Sequence, residues 1–112
     1  MYVPLTLLDK NLDEALVMAE RAVSLQPNNA SYADTYAWVL HRLGRNEEAK
    51  QAMRQALTLS SQMDATLLMH YGDILWSLGE KFMAETYWQK AVERGYDKGL
   101  MEAHIKTIKG GK

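Results

Sequence analysis

The sequence predicts an all-α fold, an array of antiparallel helix hairpins stacked side by side, on three observations. Ala15, Ala49 and Ala84 are spaced by 34 and 35 residues, and Ala22, Ala56 and Ala91 repeat those two intervals. A fixed period of this size marks stacked units that share one core. Within the units the apolar spacing is helical, as in Ala33, Tyr36, Ala37 and Leu40 or Leu68, Tyr71, Gly72 and Leu75, which follow i, i+3, i+4, i+7. Gly44 and Gly79 each follow a leucine at the end of such a run, where a left-handed residue closes a helix and glycine carries no steric penalty.

The helices are expected at about 4–9, 12–26, 31–43, 47–60, 65–78, 81–94 and 98–108. Asn11-Leu-Asp-Glu14 has the spacing of a capping box, a side-chain acceptor three residues ahead of a glutamate. Pro27-Asn-Asn29 breaks the chain between units. Asn46 and Asp64 stand as simple caps before helical runs. No segment alternates cleanly enough for a strand. The second and third units agree further, at Tyr36 with Tyr71, Val39 with Ile74, Leu40 with Leu75, Leu43 with Leu78 and Gly44 with Gly79, each pair 35 residues apart.

These residues resemble the tetratricopeptide repeat family. Leu68, Tyr71, Gly72 and Leu75 fit the first-helix signature of that family, and Ala84, Trp88 and Ala91 fit its second helix. Tyr96 stands where the family has proline, and Gly95 can end the helix in its place. The middle copy has Ala33, Tyr36, Ala37 and Leu40, then Ala49, Met53 and Ala56, with Ser61 at the proline position. The first copy keeps Ala15, Ala19, Ala22 and Pro27 but lacks most of a first helix. The resemblance implies a right-handed superhelical array forming a single domain over residues 1–112. A partial first repeat spans 1–29, a second 30–64 and a third 65–97, and a capping helix and tail occupy 98–112.

The family displays a concave surface on the first helices of its repeats, where peptides or protein segments lie. Matched positions place Ser31, Asp34, Thr35, Trp38, His41 and Arg42 there from one helix, and Thr66, Met69, His70, Asp73, Trp76 and Ser77 from the next. The partner-binding expectation rests on Asp34, Trp38, His41, Arg42, Met69, His70, Asp73 and Trp76. Chaperone-binding members clamp a C-terminal carboxylate with lysine and asparagine. Here Asp34, Trp38, Met69 and Asp73 occupy the corresponding places, so that activity does not carry over. Similar repeats in bacteria often act as assembly scaffolds, which makes an interaction module or scaffold the expected role. The alternative is a structural segment that self-associates or packs on upstream repeats.

Composition narrows the field. Thirteen Lys+Arg against fourteen Asp+Glu give a net charge of -1, with no basic face for nucleic acid or anionic lipid. Absent cysteine removes thiol chemistry and disulfides. Met1 to Asp9 lacks a positive n-region and is interrupted by Pro4. It reads as neither signal peptide nor spanning helix. The expectation is a soluble chain, cytoplasmic as written, or periplasmic where an upstream export signal has been removed.

No phosphate loop, nucleophile elbow or His-Glu-x-x-His pair is present, so neither enzyme chemistry nor a cofactor is expected. His41, His70, Asp34 and Asp73 read as exposed groove wall rather than metal ligands, and His104 as incidental. The helix from about 12 carries Leu12, Ala15, Leu16, Ala19, Ala22, Val23 and Leu25 without a full partner before it. Its under-covered face predicts a homodimer through this N-terminal edge, unless Tyr2 to Leu8 folds back over it.

Overall fold

The computed structural model describes residues 11–60 and 64–110. The helices are α1 (Leu12–Leu25), α2 (Ala30–Arg42), α3 (Asn46–Leu59), α4 (Ala65–Ser77), α5 (Lys81–Glu93) and α6 (Lys98–Gly110). Each lies within about two residues of its expected bounds. The helix expected at 4–9 and the role of Ser61 fall outside the described residues.

Local chemistry sets the ends. The Asn11 side chain accepts from the Glu14 backbone N–H at 3.1 Å, and its amide donates to the Glu14 carboxylate at 3.0 Å. Asp64 caps α4 through the Thr66 N–H at 2.7 Å. Asn29, expected only as part of a break, caps α2 through the Tyr32 N–H at 3.0 Å. Asn46 departs from expectation. It is the first residue of α3, and its side-chain oxygen lies 2.7 Å from His41 Nδ1 instead of capping.

Gly44, Gly79 and Gly95 have φ of 81°, 84° and 110°, the left-handed conformation that L side chains resist. Each closes its helix with two backbone bonds, as where Gly44 N–H donates to His41 O and Arg45 N–H to Leu40 O at 2.9 Å each. Gly95 does the same without the family's proline: Tyr96 N–H donates to Ala91 O at 3.0 Å.

Successive helices pack pairwise from α1 to α5, and α2 also touches α4, so α2, α4 and α6 form an inner row backed by α1, α3 and α5. The periodic alanines sit where these helices meet. Ala15, Ala49, Ala56, Ala84 and Ala91 have no exposed surface, and Ala22 has 3%. Small residues let backbones approach, and Leu40, Met53, Leu68, Ile74, Leu75 and Trp88 fill the space between.

Burial of an indole such as Trp88 is worth on the order of 5 kcal/mol in apolar area. Gly72 is part of the same fit. A Cβ there would stand 2.5 Å from both Cδ1 and Nε1 of Trp88. The expected capping helix, α6, buries Met101 and half-buries Ile105 and Ile108, while Leu100 stays 63% exposed.

Candidate partner-binding site

The inner row is joined by two histidine–carboxylate hydrogen bonds, both leaving α4. His70 reaches back, its Nδ1 2.8 Å from Asp34 Oδ1 on α2. Asp73, three residues along, reaches forward. Its carboxylate accepts from His104 Nε2 on α6, at 2.8 and 2.9 Å to the two oxygens. A carboxylate only accepts, so the proton lies on Nδ1 of His70 and on Nε2 of His104. Asp34 and His70 each keep 16% of their side-chain surface exposed, whereas Asp73 keeps 4%.

Asp73 also accepts from the Trp88 indole N–H at 2.9 Å, which satisfies the one polar atom of a side chain that is 1% exposed. Burying a carboxylate is costly unless hydrogen bonds compensate, and Trp88 and His104 supply them. Among the described residues no buried side-chain N or O lacks a partner.

Trp38 is the centre of an aromatic group on α2 and α4. Its ring stacks on His70 with centroids 4.2 Å apart and 27° between planes, and lies 4.9 Å from the His41 ring. Asn46 and Asp34 hold those two imidazoles by Nδ1, which fixes the orientation of both rings. Trp38 is half-buried and also packs on the small core of Ala15 and Val39.

Trp76 has different surroundings. It lies 5.6 Å from the Trp88 ring, and the ammonium groups of Lys81 and Lys109 sit 4.9 and 5.4 Å from its centroid. Lys109 is also paired with Glu85 at 2.5 Å.

The expected site residues thus separate. Trp38, His41, His70 and Asp34 form one continuous cluster, with Met69 half-buried and Arg42 exposed on the same two helices. Asp73 lies beneath the surface as a buried acceptor, and Trp76 stands beside Lys109 of α6. His104 is no incidental residue, since it is the α6 end of the second link. The intervals hold a signal for both links: His70 follows Asp34 by 36 residues and His104 follows Asp73 by 31, each close to one repeat. No group of three or more His, Cys, Asp or Glu that could hold a metal occurs among the described residues. No described helix is long and apolar enough to cross a membrane.

Paired helices with a buried alanine period and an oriented aromatic inner face define an α-helical repeat protein. The family model described as Tetratricopeptide repeat matches residues 9–103, and the chain belongs to that family. Members typically mediate protein–protein interaction or scaffolding and are generally not enzymes. A comparison with curated proteins finds no match.

Proposed function

We propose that the chain is an interaction module that takes a peptide or protein segment along the inner face of α2 and α4. The observation that carries this reading is the His41–Trp38–His70 ring group. A half-buried indole flanked by two imidazoles, each held by a side-chain oxygen, offers rigid contact area at little entropic cost. Trp and Arg are enriched at the centres of interfaces. Trp38 is the anchor in this reading, Arg42 and Met69 extend the contact, and Asp34 orients His70. Asp73 supports the face from below, and Trp76 borders it at the α6 end.

Affinity capture with the intact chain and with Trp38→Ala tests the proposal. A partner retained by the wild type and lost by the variant supports it. Equal capture by both, with the variant folded, contradicts it.

A second reading has its own observation. Val17 and Leu25 on α1 are 56% and 72% exposed, which favours pairing of copies, or packing on further repeats, at this end. Sedimentation at dilute and concentrated loading, with and without Leu16→Glu, separates the two readings. A strictly monomeric wild type removes pairing of copies.

A further inference from the structure

The two repeat interfaces differ on the outer side of the array, and the difference has the shape of one aromatic ring. Tyr36 and Tyr71 are equivalent, 35 residues apart, and so are Ala52 and Tyr87. At the second interface Tyr87 packs edge-on against Tyr71, with centroids 4.7 Å apart and planes at 74°. Tyr71 is left 7% exposed. At the first interface the place of Tyr87 is taken by Ala52, and Tyr36 remains only half-buried. The result is a cleft of about 480 Å³ over Tyr36 and Ala52, walled by Val23 and Pro27 from one side and by Glu47 and Glu48 of α3 from the other. The equivalent cleft beside Tyr71 and Tyr87 measures about 260 Å³.

The charges differ too. Lys90 lies over the Tyr87 ring at 5.1 Å in the second interface, and Arg54 lines its cleft. The described residues lining the first cleft include two glutamates and no lysine or arginine. Burial, then Glu20 and Glu48, raise the Tyr36 phenol above its usual range, which Arg45 opposes. Arg45 donates to both carboxylate oxygens of Glu48, from Nε at 2.7 Å and from Nη2 at 2.9 Å. Lys50, one turn beyond Glu47, is committed to Glu80 at 2.8 Å.

We infer that this cleft is a second docking site, distinct from the inner face, for a partner segment that carries an aromatic side chain beside basic residues. The ring takes the place that Tyr87 fills one repeat later, edge-on to Tyr36 and above Ala52. The neighbouring lysine or arginine meets Glu47 on the cleft wall. The protein itself displays the occupant's chemistry at the equivalent position, and the acidic wall selects the flanking charge.

The test uses the full chain, isotope-labelled for NMR, with three capped tripeptides as probes: Lys-Tyr-Lys, Lys-Ala-Lys and Glu-Tyr-Glu. Lys-Tyr-Lys is expected to shift the Tyr36, Ala52 and Val23 signals and to bind about tenfold more tightly than either other peptide. Ala52→Tyr should supply the missing ring from within, abolish these shifts and raise the urea midpoint. Glu47→Lys should weaken the peptide without changing the fold. Trp38→Ala should leave peptide binding unchanged, which separates this cleft from the inner face.

Equal binding of the three peptides, or shifts that persist in Ala52→Tyr, overturns the proposal. An Ala52→Tyr chain that does not fold overturns the ring equivalence. Shifts at Tyr36 that follow protein concentration without peptide identify a second copy as the occupant and overturn the partner assignment.

Discussion

His104 donates from Nε2 into both carboxylate oxygens of Asp73, at 2.8 and 2.9 Å, and so ties α6 to α4 across the end of the array. The same carboxylate holds the indole N–H of Trp88. Asp73→Ala therefore strands a buried donor as well as releasing α6. Its expected cost is about 1–3 kcal/mol, larger than that of His104→Ala, which empties a position 29% exposed through which water can reach the Asp73 carboxylate. Urea midpoints of both single variants and of the double variant check this, and the two losses should be less than additive. Strict additivity would show that the contact is not energetically coupled.

Ala84 has no exposed surface at the meeting of α4 and α5. Ala84→Leu is expected to cost roughly 1–3 kcal/mol by overpacking, and Ala49→Leu a similar amount. An unchanged urea midpoint for either would count against the repeat register.

Gly72→Ala places a Cβ 2.5 Å from Trp88 and 3.1 Å from the Ala84 carbonyl oxygen. One of these contacts is backbone, so the helices must separate. The expected loss is about 1–3 kcal/mol, with a change in the near-ultraviolet circular dichroism of the tryptophans. A variant matching the wild type in both would mean that α4 and α5 are less closely fitted than described.

Burial raises the Tyr71 phenol above its usual range, and Tyr87 adds to the shift while Lys50 and Arg54 oppose it. A raised phenol means that the folded state favours the neutral form. That stability is intact below the unfolded value near pH 10 and is lost as pH rises through the folded value. Urea midpoints should be level up to about pH 9 and decline toward about pH 11, less steeply in Tyr71→Phe. An identical decline in that variant would assign the effect elsewhere.

Much of the fold was legible because its devices repeat. Alanines at 34 and 35 residues, and leucine–glycine endings at Gly44 and Gly79, carry one physical requirement each, and a requirement that recurs stands out. Asn46 departs from the cap expected of an asparagine before a helical run because His41, five residues earlier on α2, takes its side-chain oxygen.

The candidate site was legible only as a helix face. Counting along a helix shows which side a residue is on but not its depth, so Asp73 read as groove wall when it is a buried acceptor. His104 read as isolated because its partner lies in the preceding unit, and such a link emerges only when carboxylate and histidine positions are compared one repeat apart.

In the proposed function, the inner face around Trp38 holds a protein segment. Photo-crosslinking in the native cell tests it most directly, with a benzophenone amino acid placed at Met69 on the inner helix α4 or at the exposed Gln89 on the outer helix α5. A discrete adduct of one partner is expected from position 69, lost when Trp38→Ala is added. Position 89 should give none. Adducts from position 89 alone, or from position 69 regardless of Trp38, would contradict it.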